Sequence, residues 1–140
     1  DLGFGKCRFC LCGKKGEDFY AGYHTRTIAS KYPKVTRDFF SRKNMDVNII
    51  KIEGSVELAP LLGLADAIVD IVETGTTLKE NGLEPYETVA PISARVIVNL
   101  ASMKLKKQQI QALTEQLQEG LKAKDEAKKE AKKAESKQDK

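Results

Sequence analysis

The chain is poor in the residues that would make several function classes easy to argue. It has one histidine, His24, and three cysteines, Cys7, Cys10 and Cys12, all within six residues of one another. Three is an odd number and no other thiol exists to pair with them, so a secreted disulfide framework is not expected and a reducing cytoplasm fits better. A closed zinc site needs a fourth ligand. The spacing C-x-x-C-x-C supplies three, and His24 follows twelve residues later in a polar stretch. The alternative is packing. In "KCRFCLC", Cys10 and Cys12 fall on one strand face and Phe9 and Leu11 on the other, and a buried cysteine behaves as a small hydrophobe. A redox role would need a thioredoxin-like strand and helix start around the pair, which the flanking sequence lacks. No apolar run approaches the roughly 18 residues of a membrane span, so no membrane partner is expected. A basic-then-apolar leader is also missing. The opening "DLGFGKCRFCLCGKKG" has no Met and reads as the interior of a longer protein.

Charge is scarce where apolar residues are plentiful, and the reverse. The formal net charge is +4. Between Lys122 and Lys140 stand eight lysines and five acids, and alanine is the only apolar residue. The remainder is near neutral, which argues against a basic nucleic-acid face. Lysines in the tail invite a nucleic-acid reading, but the acids among them dilute the field on which phosphate binding relies. No nucleic-acid partner is expected. With good helix formers and nothing to bury, residues 122–140 read as a charged, disordered tail or a frayed helix.

The body alternates strands and helices. Strands are expected over 6–13, 26–30, 47–53 ("VNIIKIE") and 65–72 ("ADAIVDIV"), the last almost continuously apolar, as in parallel sheets. "YETVA" and "ARVIVNL" read as two more. Pro33 opens a helix carrying Val35, Phe39 and Phe40. Ser55 is the expected N-cap of a second helix that Gly63 stops, and "TTLKENG" is a short third one ended by Gly82. From Ser102, the stripe Leu105, Ile110, Leu113, Leu117 and Leu121 marks an amphipathic helix whose spacing does not keep a heptad register. The fold class is therefore α/β: a small mostly parallel sheet with flanking helices, then a C-terminal amphipathic helix and the charged tail.

In such sheets ligands bind beyond the carboxyl ends of the strands. Three strand ends carry polar residues suited to this: Ser30-Lys31-Tyr32, Glu53-Gly54-Ser55 with Glu57 in a first helical turn, and Glu73-Thr74-Gly75-Thr76-Thr77. The third is the richest. Gly75 lets the backbone approach a ligand closely. The amides of Gly75, Thr76 and Thr77 would point outward at a helix start, where a phosphate is favoured. Asp70 alternates onto the strand face of Ile68 and Val72, below that turn, where its carboxylate suits two sugar hydroxyls. Loop and acid together describe a ribose 5-phosphate. Each feature also has an ordinary reading: a Thr-Gly turn with a threonine N-cap merely joins a strand to a helix, Glu57 complements a helix dipole, and Lys31 and Tyr32 lie in a solvated loop. An acid in a buried strand tilts the balance toward a site, because burying it needs a reason.

"IASKYP", "IEGSVELAPLLGLADAIVDIVETGTTLKENGL" and "ISARVIVN" resemble the catalytic chain of the ATP phosphoribosyltransferase family, short form, from about Lys6 to Leu121. The resemblance implies a periplasmic-binding-protein-like lobe and the transfer of ribose 5-phosphate to N1 of ATP with release of pyrophosphate, in histidine biosynthesis. It implies that Glu73, Thr74, Gly75, Thr76 and Thr77 form the phosphate loop, with Glu57 and Asp70 as acids near the ribose. Lys31 and Tyr32 then fall on the adenine-nucleotide side. It further implies substrate-associated Mg2+, a homo-oligomer, and a separate regulatory subunit. No resident metal ligands are assigned. On this reading residues 1–13 return from a first lobe whose N-terminal part is absent, 14–90 form the second, inserted lobe, and 91–121 belong to the first. The alternative is a lobe that binds a phosphorylated sugar or nucleotide without turnover.

Overall fold

The computed structural model describes the backbone of residues 1–138 and the side chains of residues 1–124, 126 and 127. The chain divides into two compact units. One runs from Lys6 to Ile92, and the other combines residues 1–5 with residues 93–140.

The first unit is built on a five-stranded sheet. Its strands are β1 (Cys7–Lys14), β2 (Arg26–Ser30), β3 (Val47–Lys51), β4 (Ala67–Val72) and β5 (Leu83–Ile92), in the order β3-β2-β4-β1-β5. Strand β2 pairs in parallel with both β3 and β4, while β1 runs antiparallel between β4 and β5. Four strands thus point one way and β1 alone opposes them. The expected mostly parallel sheet is found, with an antiparallel strand inserted. Residues 7–13, read from sequence as a return from another lobe, lie inside this sheet, because β1 is hydrogen-bonded on both edges.

Each sheet face has its own cover. Helices α2 (Leu58–Leu61) and α3 (Thr76–Glu80) contribute to one face, where Val56, Ala59 and Leu78 pack on Cys10, Cys12, Ile68 and Val72. Helix α1 (Pro33–Arg42) and the loop residue Phe19 cover the other, where Phe40 meets Leu11, Ile28 and Val69. Full burial of side chains such as Phe40, Leu11 and Ile28 stabilises the fold by about 1.5–3 kcal/mol each. Cys10 and Cys12 are fully buried free thiols, the packing role expected of them. Burial, with Cys10 and Asp70 adding to it, pushes the Cys12 thiol up to about 12. The thiolate needed for reaction is thereby suppressed.

Several local expectations are corrected. Ser55 does not cap α2, which is a single turn preceded by Glu57 in helical geometry and has no side-chain cap. "YETVA" is the middle of a ten-residue strand that also takes in Pro85 and Pro91. These prolines are tolerated because β5 is an edge strand whose register shifts twice against β1. The segment 93–99, expected to contain a strand, forms no regular element. Ala94 exchanges backbone hydrogen bonds with Leu2 and Phe4, and Ile97 is fully open to solvent.

The second unit is helical. Asn99 caps α4 (Leu100–Leu105) by accepting from the amides of Ala101 and Ser102, and α5 (Lys107–Gln138) follows after a break at Lys106. The expected leucine stripe is present but open: Leu105, Leu113 and Leu117 are all exposed. The backbone of α5 continues beyond Lys122 to Gln138, the helical one of the two readings of the tail, and its Ala, Lys and Glu content suits a helix. Asp139 and Lys140 lie outside the described residues.

Two outcomes test this packing. A Cβ on Gly13 would stand 2.5 Å from the Tyr86 ring, whose hydroxyl is anchored on the Lys14 carbonyl at 2.6 Å. Gly13→Ala should therefore destabilise the chain by about 2 kcal/mol in urea unfolding, as overpacking does. Tyr86→Ala in the same background should recover part of that loss. Cys10 and Cys12 should resist iodoacetamide at pH 8 in the native chain and react once it is unfolded.

Candidate functional site

Parallel pairing brings the carboxyl ends of β3, β2 and β4 to one edge of the sheet. The segments picked out by sequence follow those strands. At the end of β2, the buried Ser30 hydroxyl donates to the Val69 carbonyl and accepts from the Tyr32 amide, tying β2 to β4 and shaping the exit turn. Thr36, also buried, donates its hydroxyl and amide to the Tyr32 carbonyl. Ser30 stands out in the sequence as a polar strand-end residue, but nothing there signals its bond to the neighbouring strand, and nothing marks Thr36. Lys31 is exposed. Tyr32 is half-buried, its ring edge-on to Phe9 at 4.9 Å. Phe9 belongs to the face covered by α1, opposite the face of Asp70.

After β3, Glu53 is held by Lys51, which keeps its carboxyl below the ordinary range. Glu57 is half-buried beside the fully buried Val56. It makes no hydrogen bond or ion pair among the described residues.

Strand β4 carries the two central features. Asp66, before the strand, is structural: it accepts from the Thr27 amide at 2.7 Å and faces Arg26 at 3.7 Å. Asp70 sits four residues on, directly opposite Cys10 of β1 and on the face of Ile68 and Val72. It is half-buried, and its carboxylate has neither a hydrogen bond nor an ion pair among the described residues.

The chain then turns through Glu73, Thr74, Gly75, Thr76 and Thr77 around a depression of about 240 Å³. Gly75 takes φ +80°, in the left-handed region, and precedes α3 as its N-cap. The expected threonine cap is absent, because a glycine occupies that position and no side chain caps the helix. Thr74 bends back instead: its hydroxyl lies 3.0 Å from that of Thr76 and 3.4 Å from the Thr76 amide. The second distance is too long for a strong bond. The amides of Gly75 and Thr77 have no partner among the described residues. Two open amides, one weakly occupied amide and three threonine hydroxyls therefore line one concavity.

The structure thus places Asp70 on the strand that leads into residues 73–77, with Lys31 and Glu57 following the other two parallel strands. Tyr32 shares the edge but packs toward the other face. Arg8 was not selected from sequence, yet it lies on the Asp70 face opposite Val72. A charged residue in an otherwise apolar alternating strand was its only signal.

Comparisons with known proteins identify a family. A family model described as HisG, ATP phosphoribosyltransferase, matches residues 1–119. An ATP phosphoribosyltransferase of Clostridium kluyveri is 62% identical over 118 residues, which is 84% of this chain and 54% of the relative. One from Listeria welshimeri is 59% identical over 122 residues, 87% of this chain and 57% of that protein. This chain therefore spans about half the length of the curated relatives it matches. Among solved structures, the ATP phosphoribosyl transferase (HisG:HisZ) complex from Thermotoga maritima aligns with TM-score 0.76 and 42% identity, over 83% of this chain and 57% of that one. The holo arginine-binding protein ArgBP of Thermotoga maritima aligns with TM-score 0.57 and 16% identity, over 85% of this chain and 54% of that one, a likeness of fold alone.

The turn's backbone should be sensitive to its glycine. Gly75→Ala places a Cβ in ordinary contact with Val72, 3.8 Å away, so the strain comes from φ rather than from space. A loss of about 1 kcal/mol is expected in chemical denaturation. Gly54→Ala, which meets nothing within 4 Å and has no positive φ, should be close to neutral.

Proposed function

Because this chain belongs to the ATP phosphoribosyltransferase family, we propose that its Lys6–Ile92 unit holds the phosphoribosyl donor for transfer of ribose 5-phosphate to N1 of ATP, the entry step of histidine biosynthesis. One observation carries this reading. The Asp70 carboxylate and the open amides of Gly75 and Thr77 stand within one strand-to-turn segment, with no partner among the described residues.

The roles follow from chemistry. Amides and threonine hydroxyls give a 5-phosphate several donors without a fixed cation, and the start of α3 adds a favourable dipole. The ionised Asp70 accepts only, so it matches the two donor hydroxyls of a ribose ring. In the reaction the N1 lone pair forms a bond to C1 while the C1–oxygen bond breaks and its electron pair leaves with pyrophosphate. Positive charge develops on the ribose as negative charge leaves, so a carboxylate beside the ring stabilises the transition state. No nucleophilic side chain takes part. The protein contributes by holding the two substrates in line. Lys31 and Tyr32, at the next strand end, are assigned to the adenine-nucleotide side.

Mg2+ is proposed as a companion of the substrate rather than a resident ion. Glu57 and Asp70 fit such an ion, since both offer carboxylates on half-buried residues without partners among the described residues. An ion of this kind takes most of its ligands from phosphate and water. When bound, it supplies charge neutralisation to the departing pyrophosphate.

As partners we propose further copies of this chain and a separate regulatory chain, by analogy with the Thermotoga maritima complex. No described helix is long and apolar enough to cross a membrane, and buried free thiols suit a reducing compartment such as the cytoplasm.

Calorimetric titration with phosphoribosyl pyrophosphate tests the donor site. The chain should bind it, and Asp70→Asn should weaken binding by about 10- to 100-fold, the worth of hydrogen bonds to a charged acceptor. Absence of binding by the wild-type chain overturns the reading. Steady-state assay with ATP and Mg2+ then separates the two levels of function. Turnover by the pure chain assigns it the complete reaction, whereas binding without turnover assigns it the donor-holding lobe.

A further inference from the structure

Arg8 is the second residue of β1, half-buried, with β4 on one side and β5 on the other. It makes no ion pair or hydrogen bond among the described residues. Arg26 of the same unit behaves differently: it is bound to the Ala21 carbonyl, the His24 ring and Asp66. A partly desolvated guanidinium without a counter-charge costs free energy, and folds retain one where it meets something outside the fold.

The register says where that is. Arg8 stands directly opposite Val72, the last residue of β4, and Cys10 stands opposite Asp70. Regular alternation along the β1–β4 ladder puts Arg8 on the face of Asp70 and Val72. The field of Arg8 also acts on the Cys12 thiol, which lies on that face. Arg8 and Asp70 are therefore diagonal neighbours, about 7–8 Å apart and somewhat closer at their Cβ atoms. An arginine can span that gap, yet the two form no ion pair. The 73–77 turn begins one residue beyond the Arg8–Val72 pair.

A carboxylate and a guanidinium side by side, both half-buried and unpaired, suit a ligand that carries hydroxyls and anionic oxygens at once. We propose that Arg8 is a further substrate-binding residue that holds phosphoryl oxygens of the donor, an assignment that rests on the donor-site reading above. Its planar fork matches two phosphoryl oxygens, which a lysine does not. The oxygens belong either to the 5-phosphate or to the pyrophosphate, and these are separable with simple probes.

The experiment titrates ribose 5-phosphate and pyrophosphate separately into the full 140-residue chain, as wild type, Arg8→Gln and Arg8→Lys, with thermal unfolding of each. Arg8→Gln should weaken one probe by about tenfold or more and leave the other nearly unchanged, and the probe affected identifies the phosphoryl group held. Arg8→Lys should fall between. The salt dependence of the affected probe should also flatten in Arg8→Gln, which a purely structural role would not produce. Folded Arg8→Gln that binds both probes as the wild type does overturns the assignment. Should Arg8→Gln unfold, Arg8→Lys decides, and unchanged affinity for both probes overturns it. A wild-type chain that binds phosphoribosyl pyrophosphate while Arg8 variants bind it equally sinks this assignment alone. A wild-type chain that binds no phosphorylated probe removes the donor site with it.

Discussion

The register between β1 and β4 is the constraint on which the rest of the first unit depends. It sets Cys10 against Asp70 and Cys12 against Ile68, so the small thiols and the aliphatic residues fill one side while Leu11 and Phe9 fill the other. A slip of one residue would send Arg8 into the aromatic face and bring Phe9 beside the turn. The same register carries an ionic pair of residues to the rim, where β4 gives way to residues 73–77. Core packing and the chemistry of the edge are thus decided by one ladder. Cysteines are well suited to it: they are small enough to let α2 and α3 approach, and burial keeps Cys12 a neutral thiol beside a carboxylate.

Ser30 makes a second, smaller connection of the same kind. Its hydroxyl bridges the Val69 carbonyl and the Tyr32 amide, so the exit of β2 is fastened to the middle of β4. The Lys31 turn cannot move independently of the strand that holds Asp70. This explains how two strand ends, distant in sequence, present their polar residues at a common edge without a direct bond between them.

Much of this was legible in the sequence, and the exceptions have physical causes. Strands with strong β-branched content, such as "VNIIK" and "AIVDIV", appear close to where the pattern put them. So does α1, whose start Pro33 marks. The strand-to-turn segment at 70–77 was legible because a carboxylate in an apolar run and a glycine among hydroxyls are both costly without a use. The misreadings lie where tertiary pairing overrides a local cue. Pro85 and Pro91 signal strand ends, but an edge strand with bulges absorbs them. "ARVIVNL" has the composition of a strand, yet composition does not create a pairing partner: Ala94 exchanges backbone bonds with Leu2 and Phe4 and Arg95 pairs with Asp1, but no ladder forms among the described residues. Arg8 is inconspicuous in the sequence because the apolar members of the alternation alone mark the strand face.

The unpaired charges bear most directly on function. A sequence specifies a fold when every level agrees, and natural chains depart from that agreement at sites of use. In this unit several charges are paired: Lys43 with Glu87, Arg26 with Asp66, and Lys51 with Glu53. The half-buried side chains of Arg8, Glu57 and Asp70, by contrast, have no hydrogen bond or ion pair among the described residues. An Arg8–Asp70 salt bridge would lie within reach of the side chains and would relieve both desolvation costs. Its absence makes sense if the gap is meant for a molecule that binds to each. The fold then gives up a little stability at this edge and recovers it only when a ligand with complementary oxygens and hydroxyls arrives.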